Sequence, residues 1–404
     1  VLVSFDEALA RVLAGADRLG TERVAVELAA GRVLAETIRA PLAVPAFTHA
    51  TMDGYALATA SLAAEAPWRL EVAGESRAGA AGPPLAPRSA QRIFTGAPLP
   101  AGADAVVMQE DVERDGDAIS VRARATPGDN VRVAGSDLAA GAVALEEGLR
   151  LHPGHLGLAA SLDRPVLSCA RRPVVAVVAT GDELRRPGEP GPPESIAESN
   201  GIVVGAIARS LGAETTLLPF ARDALRATVT AFEHALATSD VLVTIGGASV
   251  GDHDLVRPAL EAAGARLELA GVRLKPGKPF AFARRGAARV LCLPGNPASA
   301  TLTFLLFGAP LVRALQGERS PPLPWRSVAL SDGLARRPGR LELARARLRA
   351  GSDPPTATLL DDQASGAVTS FARAELLVEL PADRERFVPG ERLRALALRD
   401  LWLP

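Results

Sequence analysis

The chain has 404 residues, with 45 lysines and arginines against 46 aspartates and glutamates and 48% hydrophobic residues. That length calls for several domains with sizeable cores, and a net charge of −1 with both signs interspersed gives no long-range field for nucleic acid or anionic lipid. Two cysteines, Cys169 and Cys292, rule out a disulfide framework and fit no zinc spacing, so both read as small buried hydrophobes.

In chain order, Ser4 caps a predicted helix from Phe5 to Ala14, and the apolar spacing from Val24 through Leu28 to Ile38 continues it to Pro41. From Pro45 to about Asp137, short apolar runs cut by Gly and Pro predict an irregular β-rich lobe. Gly141 to Leu162 returns to helical or mixed character, so 1–44 and 138–171 are expected to form a split linker or dimerisation region around the lobe 45–137.

Residues 172–317 alternate strand and helix. Val174 to Val178 is a continuous apolar run, as expected of a strand buried on both faces. A helix after Asn200, a strand near Thr215 to Pro219, a helix from Asp223 to Ala237 and a strand from Val241 to Ile245 follow. A helix over about Val256 to Ala263 and a strand from Val290 to Leu293 precede the last helix. That helix starts at Pro297, where Asn296 stands as a candidate cap. The expectation is a doubly wound α/β domain. After the Pro-rich connection 320–324, the runs Leu341 to Leu348, Thr358 to Leu360 and Leu376 to Leu380 predict a small β-barrel or sandwich over 325–404. No apolar run is expected to approach the ~18 residues of a membrane span, and no leader is visible, so the protein reads as soluble and cytoplasmic.

Scarcity points to the chemistry. Only two of the cationic side chains are lysines, Lys275 and Lys278, three apart in Lys-Pro-Gly-Lys-Pro-Phe280. A chain that uses arginine almost everywhere keeps lysine where a compact ammonium does what a planar fork cannot, which points to a small anion. The three asparagines, Asn130, Asn200 and Asn296, all lie in turns, as does the segment before the single tyrosine, Tyr55. Turn geometry alone accounts for Asn130 as well as function does.

Ligands of open α/β sheets bind beyond the carboxyl ends of the strands. Three such ends carry polar motifs: Thr180-Gly-Asp-Glu183, Gly246-Gly-Ala-Ser-Val-Gly-Asp-His-Asp254 and Pro294-Gly-Asn-Pro297. Lysines and backbone amides there suit phosphate or oxyanion oxygens, while Glu183, Asp223, Asp252 and Asp254 are candidate Mg²⁺ ligands. A magnesium-assisted phosphoanhydride reaction fits, with Asp223 also readable as a helix cap. Neither a P-loop nor a dinucleotide-binding glycine motif occurs. His152-Pro-Gly-His155 is too short and too isolated for a metal site, and His49 and His253, though inside motifs, read as packed or solvent-facing side chains.

The motifs resemble one family, the MoeA-type molybdopterin molybdenumtransferases, which include the C-terminal domain of gephyrin. The matching pieces are Met52-Asp-Gly-Tyr-Ala56, Arg92-Ile-Phe-Thr-Gly-Ala-Pro98, Gly102 to Glu110, Asn130 to Asp137 and Thr180 to Leu184. Gly246 to Asp254, Lys275 to Phe280 and Leu293 to Ala300 complete the set, in the family's order over nearly the whole chain. The resemblance implies a multidomain fold: a split helical linker, a β-rich lobe, an α/β domain like that of molybdopterin adenylyltransferases, and a C-terminal β-barrel. It implies an elongated homodimer whose site joins the α/β and barrel domains of one chain to the lobe of the other. The implied reaction takes adenylylated molybdopterin and molybdate, releases AMP with Mg²⁺ and places Mo on the dithiolene.

Carried over by position, the resemblance assigns Lys275, Lys278, Arg345 and Ser365 to the oxyanion. Glu183, Asp223, Ser249 and Asp254 go to nucleotide, metal and hydrolysis. Asp53, Thr95, Arg132 and Asp137 are implied to complete the cleft from the lobe, and Gly295 and Asn296 to line the pterin pocket. The chain departs from the family at Phe47-Thr-His-Ala-Thr51, Glu198-Ser-Asn200, the single Asp223, and Ala374-Glu-Leu376. Two other readings stay open: a molybdopterin adenylyltransferase, or a non-catalytic scaffold paralogue. Molybdopterin adenylyltransferase and molybdoenzyme maturation factors are candidate partners, and molybdate and tungstate are not told apart.

Overall fold

The computed structural model describes residues 2–62, 67–122, 124–221, 224–247, 255–319, 322–349, 351 and 354–402. The chain forms two compact units: 1–36, 148–152 and 166–404 make the first, and 37–147 with 153–165 the second.

At the centre of the first unit is a six-stranded sheet in the order Glu214–Leu217, Val174–Ala179, Val241–Ile245, Ala288–Leu293, Ala281–Arg285, Arg266–Ala270. The first four strands are parallel, and the last two are antiparallel additions that the sequence reading did not place. All five residues of Val241–Ile245 are buried, because helices cover both faces. Phe232, Leu236, Val256 and Leu260 pack on one face; Val204, Ile207, Leu211, Leu302 and Phe304 pack on the other. The N-terminal helix Phe5–Leu13 adds Phe5, Ala8 and Val12 to that second face, with Ser4 Oγ accepting from the Glu7 N–H at 3.2 Å as expected.

Two expectations need correction. Val24 to Ile38 is not helix: Thr21–Ala25 is a strand antiparallel to Val166–Ala170, followed by a 3₁₀ turn at Val26–Leu28 and a short strand at Ile38–Arg39. β-branched residues with a partner strand available pair rather than coil. The second concerns the helical run from Pro297 to Leu315, which is apolar and long enough to pass for a membrane span, with 94% of its window buried in the fold. It is the core helix, interrupted by a π-turn at Phe304–Gly308, where Phe307 stacks on Phe280 with ring centroids 4.2 Å apart.

Five strands, Trp325–Leu330, Leu341–Arg349, Thr356–Leu359, Leu376–Leu380 and Arg392–Ala397, close into a barrel when Leu376–Leu380 pairs back onto Leu341–Arg349. Small side chains such as Ala344, Ala346, Ala357 and Ala395 fill its interior beside Leu330, Val378 and Leu380. A further short strand, Leu274–Lys275, leaves the α/β region and pairs in parallel with Leu341 and Glu342.

The second unit holds a six-stranded sheet ordered Ala105–Met108, Gly54–Leu57, Ser89–Ile93, Trp68–Ser76, Ala118–Val121, Val112–Asp115. Alternation sorts its core: Tyr55, Leu57, Trp68 and Leu70 to one face, Ala56, Ile93 and Val106 to the other. Gly54 is required, since any Cβ there would strike the Val107 carbonyl of the neighbouring strand.

Candidate functional site

Past the carboxyl ends of Val174–Ala179, Val241–Ile245 and Ala288–Leu293, the chain continues the ladder briefly before turning. The Thr180 N–H donates to Ile245 O at 2.9 Å, and the Gly246 N–H to Leu293 O at 3.1 Å. The turns then diverge around a cleft of about 770 Å³ lined by Thr180, Glu183, Asn200, Gly246, Gly295 and Asn296 among others. Gly246 has φ +91, and a Cβ there would lie 2.8 Å from Thr180 O, so close approach of two turns dictates glycine.

Side chains join these turns. Asn200 Nδ2 donates to Gly295 O at 2.8 Å, tying the start of helix Asn200–Ser210 to the Pro294–Pro297 turn. Asn296 stands at the N-cap of helix Pro297–Thr303, but its side chain makes no capping bond. Its Nδ2 instead donates to Ser365 Oγ at 3.1 Å, and Ala298 N–H donates to Ser365 O at 3.0 Å, docking the barrel loop on the cleft. Glu198, where the family pattern has aspartate, is buried and accepts the Gly201 N–H at 2.6 Å, so its carboxylate serves the helix end.

The lysine loop borders this cleft through Pro279. Lys275 lies opposite Glu342 in the strand pairing, its Nζ 3.1 Å from Oε1 and 3.2 Å from Oε2. Lys278 is exposed on the same loop. Arg345 is fully buried. Its Nη2 donates to Ala364 O at 2.9 Å and Asp362 O at 3.4 Å, so it braces the loop that presents Ser365. Its Nε has no hydrogen-bond partner among the described residues, and burial holds the guanidinium below its ordinary pKa.

Asp223, Ser249, Asp252 and Asp254 lie outside the described residues, and Ala224 directly precedes the helix Leu225–Thr238. Among the described residues no three His, Cys, Asp or Glu side chains group for a metal. Among the described residues the carboxylates lining the cleft are Glu198, committed to the Gly201 N–H, and Glu183, folded over Gly181. One or two carboxylates with substrate phosphates and water suffice for Mg²⁺, so this hard-oxygen donor fits that ion.

In the second unit, Asp53 Oδ1 accepts both the N–H and the hydroxyl of Thr95 at 2.8 Å. The backbone N–H of Thr95, then its hydroxyl, hold the Asp53 carboxyl below its usual range. Arg92 sits over the Tyr55 and Phe94 rings and donates to Gly54 O at 3.2 Å, stiffening the turn that carries Asp53. Arg132 and Asp137 form a half-exposed pair at 2.5 Å. In the altered segment, Thr48 Oγ1 accepts the Ala134 N–H at 3.1 Å and holds the Arg132 loop. Asn130 has φ 52 and donates to Val106 O at 2.9 Å, so turn geometry explains it.

The structure thus gathers Glu183, Gly295, Asn296 and Ser365 at one cleft, with the lysine loop on its border, and pairs Asp53 with Thr95 in the other unit. Sequence reasoning passed over Glu342 and Arg336, although an acid and a base inside or beside an apolar strand were a usable sign.

Comparison with known proteins extends over nearly the whole chain. The family model described as the MoeA N-terminal region (domain I and II) matches residues 3–162. A probable molybdopterin binding domain matches 176–314, and the MoeA C-terminal region (domain IV) matches 327–398. Molybdopterin molybdenumtransferase 2 of Mycobacterium tuberculosis is 34% identical over 377 residues, 91% of this chain and 92% of that protein. Molybdopterin molybdenumtransferase of Bacillus subtilis is 33% identical over 98% of this chain and 94% of its own length. A crystal structure of the molybdopterin biosynthesis MoeA protein from Pyrococcus horikoshii superposes with a TM-score of 0.85 at 27% identity, covering 98% of this chain and 100% of that one. Another crystal structure of a molybdopterin biosynthesis MoeA protein from Pyrococcus horikoshii, 32% identical, gives a TM-score of 0.84, covering 98% of this chain and 99% of that one.

Proposed function

The chain belongs to the MoeA family of molybdopterin molybdenumtransferases, and from that premise we propose how its residues perform the reaction. It is an enzyme of molybdenum cofactor biosynthesis that transfers molybdenum to molybdopterin. The substrates are adenylylated molybdopterin and molybdate, and AMP leaves when the phosphoanhydride is cleaved. The observation that carries this reading is the cleft past three parallel strand ends, with Glu183 on one wall and the Asn296–Ser365 contact on another.

Within that cleft the Gly295–Asn296 turn receives the pterin, and Ser249 and the backbone N–H groups of the strand-end turns bind phosphate oxygens. Lys275 and Lys278 hold the molybdate dianion beside Ser365, with Arg345 bracing the Ser365 loop from beneath. Glu183, with Asp223 and Asp254, would hold Mg²⁺, which would supply charge neutralisation for the phosphate oxygens. The protein acts as a homodimer, and Asp53, Thr95, Arg132 and Asp137 of the partner's lobe complete the site; the preformed Asp53–Thr95 pair supports that role. Charged, labile substrates passed between enzymes suit a soluble cytoplasmic protein, with molybdopterin adenylyltransferase upstream and maturation factors of molybdoenzymes downstream.

The test is AMP release from adenylylated molybdopterin by the purified protein with and without molybdate, Mg²⁺ and EDTA. Release that needs both ions is expected. Turnover of molybdopterin with ATP in their place would establish the adenylyltransferase reading instead, and no turnover with intact substrate binding would leave a scaffold.

A further inference from the structure

Lys275 has a partner that explains its position but not its identity. Its ammonium touches both carboxylate oxygens of Glu342, at 3.1 and 3.2 Å. The Glu342 side chain is only 8% exposed, whereas that of Lys275 is 48% exposed. Behind the carboxylate stands Arg336, 7% exposed, its Nε 3.6 Å from Oε2. Arg336 is itself fixed by backbone carbonyls of the barrel: Nη1 donates to Leu380 O at 2.9 Å and Pro381 O at 3.3 Å, and Nη2 to Arg340 O at 2.6 Å. A chain of contacts therefore runs from the barrel wall through Arg336 and Glu342 to Lys275.

A carboxylate presenting both oxygens is a better match for a guanidinium fork than for an ammonium. In a chain with 45 cationic residues and two lysines, the pair with Glu342 alone would have been made with arginine. The ammonium has three donors, and Glu342 takes one side of it. We propose that Glu342, anchored by Arg336, is a positioning residue that clamps Lys275 on its buried side and turns its remaining donors outward to the oxyanion. This rests on the assignment of Lys275 to the oxyanion. The charge balance agrees with it: Lys275 and Arg336 outweigh the single Glu342 carboxylate, so the cluster keeps a positive surplus for an anion.

The two lysines also make the test direct. Reductive ¹³C-methylation of the folded protein labels only Lys275, Lys278 and the terminal amine, and the Lys278→Arg variant assigns the signals. In the unsubstituted protein the Lys275 methyl signal should relax as an immobilised side chain and that of Lys278 as a mobile one. Glu342→Gln should free Lys275, and Glu342→Asp, which keeps the charge, should restore much of the restraint. In AMP release, Glu342→Gln should raise the KM for molybdate about tenfold with kcat little changed, the scale of one charge-assisted hydrogen bond. That rise should vanish in a Lys275→Ala background. Equal mobility of the two lysines in the unsubstituted protein, or a Lys275 signal untouched by Glu342→Gln, overturns the clamp. So does a KM effect that persists without Lys275. If Lys275→Ala itself leaves molybdate dependence unchanged, the oxyanion assignment fails instead, and the methyl signals still report on the clamp.

Discussion

Gly246 and Gly295 lie side by side in the cleft lining and should respond unequally to the same added methyl. At Gly246 the backbone is left-handed at φ +91, which costs an L-residue about 1–2 kcal/mol. The new Cβ would also lie 2.8 Å from Thr180 O and 2.9 Å from Thr180 Oγ1, and relieving such overpacking costs about 1–3 kcal/mol. Together these give roughly 3 kcal/mol for Gly246→Ala, concentrated where the Thr180 N–H meets Ile245 O. At Gly295 φ is ordinary and the nearest atom, Gly246 Cα, is 3.5 Å away, an ordinary contact, so Gly295→Ala should cost less than about 1 kcal/mol. A chain of two units is not safely read by one unfolding midpoint, so amide hydrogen exchange resolved by segment is the assay. In Gly246→Ala, amides of Val241–Ile245 should exchange roughly a hundredfold faster. In Gly295→Ala they should match the parent protein while the KM for adenylylated molybdopterin rises. Parent-like exchange in Gly246→Ala, or equal acceleration in both variants, would refute the close-approach argument.

Thr95→Val removes one of two donors to Asp53 and leaves the stronger backbone one, so the Asp53 carboxyl should titrate higher yet remain below its ordinary value in a ¹³C carboxylate titration. Because the folded value is depressed, the contact's contribution is complete above the unfolded value of about 3.9 and is lost only as pH falls through the folded one, so the lobe should be insensitive to this group from pH 5 to 8. Burial raises the Cys169 thiol to about 11, and Cys292 is buried too, so neither should react with a disulfide reagent at pH 8 until guanidinium unfolds the chain. A fast-reacting thiol in the folded protein would contradict that. Finally, inactive Asp53→Ala and Lys278→Ala proteins, co-expressed and mixed at random, should regain roughly a quarter of normal AMP release, because half the dimers are hybrids with one intact site of two. Tagged hybrids that form yet stay inactive would show that the site is not shared.

The strand-and-helix alternation of 172–317 was legible because its three central strands, Val174–Ala179, Val241–Ile245 and Ala288–Leu293, are largely buried apolar runs with a glycine within two residues of each carboxyl end. The Thr21–Ala25 strand was not, because its partner lies some 145 residues away at Val166–Ala170 and local spacing cannot report a distant edge. Asn296 was singled out by its scarcity and its place in a turn, but its local role was misjudged. It was expected to cap a helix, whereas its amide reaches a loop of the barrel. Glu342 went unnoticed because within Leu-Glu-Leu-Ala-Arg345 it reads as the outward half of an alternating strand, while in the fold all of 342–346 is buried. Its meaning appears only once Leu274–Lys275 is laid beside it.

That short strand also sets an order of events. Lys275 leaves the ribosome 67 residues ahead of Glu342, and the strand holding Glu342 must itself be closed by Leu376–Leu380. During synthesis the α/β core can pack while the lysine loop still lacks the edge it pairs with. The Lys275–Glu342 pair therefore forms only after the barrel strand has been made, and so does the Asn296–Ser365 contact that closes one side of the cleft. The cleft thus reaches its final shape only when the two segments, far apart in the chain, have both been made and paired.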